Sequence, residues 1–293
     1  EGADLIIGPL SKDNARLAAS AAAQREIPVL LLNYIDEETQ LPRNNSDEEN
    51  IFQLGTAVED EAATLAKALL NTQHQRLLVV HSGKSWSKRA LKEFQALWPF
   101  PVYTAQFDEV KEVTSAVGDS MGVAASLERK NELARLFDDQ ELQFLPRARI
   151  DLDAVVALTS SVESRALVPA LRFHFADNLP VYAISQSIRD SKNIRELAGF
   201  TVTELPILVH AQSQMENLVK TYNLSDSPLV ELYALGYDAY QLATWIHAQK
   251  LNPGAKNTPS LRLSLATGII ELSADQRFNR KLVLANVDGR GKI

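Results

Sequence analysis

Short apolar runs alternate with amphipathic stretches along most of the chain. Asp4–Leu10 (DLIIGPL), Pro28–Asn33 (PVLLLN), Arg76–Ser82 (RLLVVHS), Ala154–Ser160 (AVVALTS) and Pro180–Ser185 (PVYAIS) place apolar residues at successive positions. Strands covered on both faces need that pattern. Between the runs, Val58, Ala62, Leu65 and Leu69 form one stripe over Ala57–Leu70. Leu229, Leu232, Tyr233, Gly236, Tyr240, Ala243 and His247 do the same over Pro228–Lys250, and helices are also expected at Asp13–Arg25 and Leu127–Phe137. Strand–helix–strand alternation predicts right-handed crossovers and an α/β fold of doubly wound parallel sheets.

Two lobes are expected, since about ten strands approach the limit of one open twisted sheet. Ile51–Thr56 and Gly199–Val209 read as strands leaving one lobe for the other. The expected division is residues 1–55 plus 207–265 for lobe 1 and 56–206 plus 266–293 for lobe 2. Glu109–Gly122 has weak periodicity and is expected to be an irregular insertion. The opening EGAD reads as a glycine at a helix C-cap followed by a buried strand. A helix is therefore expected before Glu1, with earlier strands of lobe 1 outside this chain.

Composition narrows the chemistry. The 293 residues include 30 basic and 37 acidic side chains, a net charge of −7, which argues against nonspecific nucleic-acid binding. There is no cysteine, so thiolate nucleophiles, cysteine-ligated zinc, iron–sulfur clusters and disulfides are excluded. No apolar run approaches the ~18 residues of a membrane-spanning helix. Nothing matches G-x-G-x-x-G after a strand or a Walker A loop, so no nucleotide cofactor is indicated.

In a parallel sheet, ligands bind beyond the carboxyl ends of the strands and against helix N-termini. The candidate ligand-binding residues are therefore Ser11, Asn33, Tyr34, Ser82, Trp86, Thr159, Ser160, Ser185 and Gln186. Most are also what a helix start prefers: Ser11 is an N-cap candidate, and Ser160 with Glu163 has capping-box spacing. Trp86 stands apart, because an indole on a strand–helix loop has a large apolar face to cover. Gly118-Asp119-Ser120-Met121-Gly122 fits the G-x-S-x-G nucleophile elbow, but Glu109, Lys111 and Glu112 make the preceding stretch too polar for the central strand that mechanism needs. The five histidines show no zinc-binding spacing, and the acidic stretch Asp36–Glu49 lacks a calcium-loop pattern. Asn44-Asn45-Ser46 and Asn223-Leu224-Ser225 are formal glycosylation sequons. Catalytic residues, metal and cofactor are not expected.

GADLIIGPLSKDNARLAASAAAQREIPVLLLN resembles the strand–helix–strand segment of type I periplasmic binding folds, and RLLVVHSGKSWSKRALKEF and LPVYAISQSI resemble that fold's second lobe. GADLIIGPL, DLDAVVALTSSVESRALVPAL, LPVYAISQSIRDSKNIRELAGFTVTELP and LVELYALGYDAYQLA followed by FNRKL are similar, in order, to the LppC/LpoA lipoprotein family of Gram-negative bacteria. The resemblance implies the C-terminal binding-fold region of such a protein, lacking its first strand and helix and its second strand. It further implies a parent anchored by an N-terminal lipid to the outer membrane, facing the periplasm, with a helical-repeat domain first. The implied function is non-enzymatic activation of a class A penicillin-binding protein in peptidoglycan synthesis. Exposed loops such as Asp36–Asn50 or Glu109–Ser126 are then expected to touch the partner. Some relatives carry a cysteine pair between the lobes, near whose places Phe52 and Gln276 stand here. The alternative is a periplasmic solute-binding protein that clamps an amino acid or small polar metabolite in the interlobe cleft. A hydrolase using Ser120 ranks third.

Overall fold

The structure, a computed structural model, describes residues 2–22, 27–35, 50–136, 149–189, 194–209, 213–224, 229–251 and 261–293. In chain order the elements are β1 (Ile6–Ile7), α1 (Lys12–Ala22), β2 (Val29–Leu31), β3 (Ile51–Leu54), α2 (Val58–Leu69), β4 (Leu77–Ser82), α3 (Ser85–Leu97) and β5 (Val102–Phe107). There follow α4 (Val113–Ser120), α5 (Val123–Leu136), β6 (Ala154–Leu158), α6 (Ser161–Phe173), β7 (Val181–Ala183), β8 (Phe200–Glu204), α7 (Pro206–Val209) and α8 (Ser213–Thr221). The last are α9 (Val230–Leu251), β9 (Arg262–Ser264), β10 (Ile269–Leu272), β11 (Arg277–Lys281) and β12 (Val283–Asn286). They fall into two compact units, Glu1–Asp60 with Leu205–Val283 and Glu61–Glu204 with Leu284–Ile293.

Unit 1 holds a sheet of strand order β1-β2-β3-β11-β10-β9. β1, β2, β3 and β11 run parallel, whereas β11, β10 and β9 form antiparallel neighbours. The sheet is therefore mixed and not purely parallel as expected. The strand hydrogen bonds also correct the lobe division. Residues 266–283, expected in lobe 2, belong to unit 1, because Arg277 and Phe278 of β11 pair with Gln53 and Leu54 of β3. Phe52 and Gln276 consequently lie in one unit, where the Gln53 N–H donates to the Gln276 carbonyl at 3.0 Å.

β1 is shorter than the apolar run that predicted it. Its isoleucines are 44% and 46% exposed, because among the described residues it is an edge strand that pairs only with β2. Helix α9 covers the sheet with Leu235, Ala239, Leu242 and Ile246, which pack with Leu30, Leu54, Ile270 and Phe278. The stripe expected to be buried turns largely the other way: Leu229, Leu232, Tyr233 and Tyr240 are all exposed. α9 is apolar on more than one side, so periodicity alone does not select its core face.

Unit 2 holds the order β12-β8-β7-β6-β4-β5, with β5, β4, β6, β7 and β8 in parallel register. Every residue of β4 and β6 is buried, as their unbroken apolar runs require. Helix α2 buries Ala62, Leu65 and Leu69, the stripe read from the sequence. The supposed insertion Glu109–Gly122 is ordered: a 3-10 turn at Val110–Glu112 leads into α4. Val113, Val117 and Met121, four residues apart, enter the core against Val80, Phe107 and Leu167. The polar residues that obscured this helix form its entry, where the Glu112 carboxylate accepts from the Asp108 and Glu109 N–H groups at 3.1 and 3.2 Å. Those two donors hold the Glu112 carboxyl below its usual range. Gly199–Val209 is a strand only to Glu204, since Pro206 opens a helical turn, a position that spares its missing N–H.

Candidate functional site

The sequence-predicted site residues lie at the carboxyl ends of the two sheets, each within its own unit. In unit 1, Ser11 precedes α1, and its carbonyl accepts the Ala15 N–H at 2.9 Å as the first helical bond. Asn33 ties two strand tips together: Nδ2 donates to the Leu10 carbonyl at 2.9 Å and Oδ1 accepts the Tyr34 N–H at 2.9 Å. The Tyr34 hydroxyl donates to the Phe278 carbonyl at 2.8 Å, and its ring leaves no room for a side chain at Gly55, whose Cβ would sit 2.9 Å from Cε2.

In unit 2, Ser82, Thr159 and Ser185 are each 0% exposed. The Ser82 N–H donates to Ser87 Oγ at 3.1 Å, and that hydroxyl donates to the Leu158 carbonyl at 2.6 Å. The Ser82 hydroxyl itself has no hydrogen-bond partner. Thr159 Oγ1 and Ser164 Oγ share a hydrogen bond of 2.7 Å. Ser160 caps α6, its N–H donating to Glu163 Oε2 at 2.7 Å, while Lys84 Nζ donates to Oε1 at 2.7 Å. Burial pushes the Glu163 carboxyl up, but Lys84 and Ser160 outweigh it and hold the group below its ordinary value. Trp86 lies half-buried in the first turn of α3, and Gln186 is exposed in a 3-10 turn.

The residues that organise these tips are ones the motif reading missed. Glu61, in α2, accepts from the Ser185 N–H at 2.6 Å, the Ser185 hydroxyl at 2.9 Å and the Thr203 hydroxyl at 2.6 Å. Arg189 adds a donor to Ser185 Oγ at 3.2 Å and lies 3.7 Å from the Glu204 carboxylate. In unit 1, Asp60 pairs with Arg280 at 3.2 Å, and Asp238 accepts the Ala266 and Thr267 N–H groups, each at 2.8 Å. The signal was present for Glu61: it is an acid on the apolar stripe between Val58 and Leu65. A charge placed among core positions must find partners there.

The G-x-S-x-G match has a structural account at each fixed residue. Gly118 admits His174, since a Cβ there would lie 2.6 Å from the ring's Cε1. Gly122 ends the helix at φ +71°, where its N–H donates to the Asp119 carbonyl at 3.0 Å. Ser120 lies in the last turn of α4 and donates to the Thr104 carbonyl of edge strand β5 at 2.7 Å. The hydroxyl thus satisfies an acceptor on an open sheet edge, and no strand delivers it to a strained turn. Ser120→Ala is expected to lower stability by about 0.5–1.5 kcal/mol, read by urea unfolding. A loss of a measured hydrolytic activity in that variant would overturn the assignment.

Among the described residues, no group of three or more histidine, aspartate or glutamate side chains is placed to hold a metal ion. No described helix is long and apolar enough to cross a membrane. The acidic stretch Asp36–Glu49 and the sequon at Asn44 lie outside the described residues, as do His210 and Ser225.

Comparison with known proteins supplies the family. The family described as "LppC putative lipoprotein" matches residues 1–288. The chain belongs to that LppC family. A curated relative, the penicillin-binding protein activator LpoA of Vibrio antiquarius, is 25% identical over 263 residues, covering 86% of this chain and 42% of its own length. The chain thus spans less than half of the curated relatives it matches. Among solved structures, the LpoA (YraM) C-domain from Haemophilus influenzae, described as a regulator of PBP1A, superposes with a TM-score of 0.69 at 20% identity. That match covers 99% of this chain and 80% of that domain. A "putative branched-chain amino acid ABC transporter" from Chromobacterium violaceum gives a TM-score of 0.68 at 26% identity, covering 97% of this chain and 80% of the other. The fold of this LppC chain is therefore the α/β architecture shared by LpoA C-domains and periplasmic-binding-protein-like structures.

Proposed function

We propose that this chain is the binding-fold region of a non-enzymatic activator of a class A penicillin-binding protein. Its parent would be lipid-anchored at the periplasmic side of the outer membrane and would stimulate peptidoglycan synthesis. The observation that carries this reading is the LppC match along residues 1–288, together with relatives named as penicillin-binding protein activators. The strand tips support it on physical grounds. Ser185 is engaged by Glu61, Thr159 by Ser164 and Asn33 by the Leu10 carbonyl, so these groups are spent within the fold. A site built for a small zwitterion instead presents convergent unsatisfied polar groups. The outward surface around Val110, at the entry to α4, is the partner-facing candidate within the described residues.

The test is direct. The full-length parent is expected to bind a purified class A synthase in surface plasmon resonance and to raise its rate of glycan polymerisation or crosslinking. Absence of both binding and stimulation with the full-length parent would sink the reading. The likeness to the Chromobacterium structure favours a second reading, a solute-binding protein for an amino acid or small polar metabolite. A true ligand at a hundredfold excess over its Kd stabilises by about 2.7 kcal/mol. A thermal-shift screen of amino acids, sugars and muropeptides is expected to stay flat. A saturable shift abolished by Thr159→Ala would favour solute binding.

A further inference from the structure

Helix α6 carries apolar residues on two sides. Leu167, Ala170 and Leu171 enter the core of unit 2, while Val162, Pro169 and Phe173 share the other side of the helix. Val162 is 51% and Phe173 70% exposed, and Pro169 is exposed between them. A helix packed on one face ordinarily turns polar residues to water. The helix ends in a Schellman turn: the Ala176 N–H donates to the Leu171 carbonyl at 2.9 Å, and the Phe175 N–H to the Arg172 carbonyl at 3.1 Å. Such a turn needs one left-handed residue, a place that glycine takes at no steric cost. Here Phe175 takes it, at φ +56°, and is 63% exposed. Pro169 sits inside the helix, where it supplies no N–H to the Arg165 carbonyl. Both residues cost the fold backbone energy that their exposed rings do not return through packing. Strain kept at an exposed aromatic is a signature of functional sites.

Arg165 and Arg172 run along one edge of this row, about 10 Å apart on the helix axis. Neither guanidinium has a carboxylate or hydrogen-bond partner among the described residues. The one acid of α6, Glu163, is buried and is held by Lys84 and Ser160. A second copy of the helix would therefore set arginine against arginine. An apolar ridge edged by two guanidiniums is complementary to a groove with an apolar floor and carboxylates on its rim.

We propose that Val162, Pro169, Phe173 and Phe175, edged by Arg165 and Arg172, form a docking ridge for an acid-rimmed apolar groove on a partner protein. This rests on the activator reading, under which the groove belongs to the class A synthase. The two phenylalanine rings supply the apolar anchor, and the arginines steer encounter and set orientation. His174 ties this end of α6 to the first turn of α4, its Nε2 lying 2.8 Å from the Thr114 carbonyl, four residues after the exposed Val110. The ridge thus joins the surface already singled out at the entry to α4.

The experiment is surface plasmon resonance of a purified class A synthase over the full-length parent and its variants. Phe175→Gly is expected to weaken binding at least about 30-fold, the loss of a central anchor. Arg165→Glu combined with Arg172→Glu is expected to slow association about tenfold and to flatten its dependence on salt. In urea unfolding, Phe175→Gly is expected to keep the folding equilibrium constant within about tenfold of wild type, because glycine relieves the left-handed backbone. A binding loss under tenfold overturns the proposal. So does a larger folding loss, which would place the ring in the core. Self-association of the wild-type parent that Phe175→Gly abolishes would assign the ridge to a second copy and overturn it as well. A wild-type parent that does not bind the synthase sinks the activator reading and this assignment together, whereas a variant that binds like wild type sinks this assignment alone.

Discussion

Phe278→Ala is expected to lower the unfolding free energy of unit 1 by about 3–5 kcal/mol, the cost of removing a buried aromatic ring. Phe278 is 0% exposed, sits on β11 in register with Leu54 of β3 and Leu272 of β10, and packs against α9. Its ring stacks on Phe52 at 6.0 Å and meets Trp245 edge-on at 6.4 Å. The surrounding strands are tied by their ladders and cannot collapse into the space left behind. Denaturant unfolding followed by Trp245 fluorescence reads the effect. A loss under 1.5 kcal/mol would mean that Phe278 is not the keystone of this core.

Glu61→Ala is expected to cost about 3–5 kcal/mol in unit 2, although it removes an acid and no large apolar group. Three donors converge on this carboxylate, the Ser185 N–H and the hydroxyls of Ser185 and Thr203. All three belong to buried residues: the two hydroxyls would lose this acceptor away from water, at about 1–3 kcal/mol apiece before relaxation, and the Ser185 N–H would keep only Thr203 Oγ1, at 3.2 Å. Glu128→Ala on the exposed face of α5 is the control and should stay within about 0.5 kcal/mol. Equal stability of the two variants in urea unfolding would show that the Glu61 cluster is relieved by water.

The central strands were legible because their physics is local. β4 and β6 are covered on both faces, and an unbroken apolar run has few other uses. The edges were not. β5 (VYTAQF) and β11 (RFNRK) mix polar and apolar residues, and their identity as strands depends on neighbours distant in sequence. The same dependence misplaced residues 266–283, since only pairing with β3 assigns them to unit 1. Within the candidate site, Ser160 with Glu163 was readable because a helix cap is made by residues three apart. Asp238 and Arg280 were not, because their partners lie on other elements. Ser120 shows the converse failure: a five-residue pattern carries chemistry only on the strand–turn–helix that presents it, and here it ends a packed helix.

The discontinuity of unit 1 bears on how the nascent polypeptide reaches its native state. Unit 2 draws almost wholly on the unbroken stretch Glu61–Glu204, so it can fold while later residues are still being translated. Unit 1 cannot, because the ladder position beside β3 is filled by β11, more than two hundred residues later in synthesis. Until then β3 carries unpaired N–H and C=O groups and an uncovered apolar face, the kind of surface that recruits chaperones or strands from other molecules.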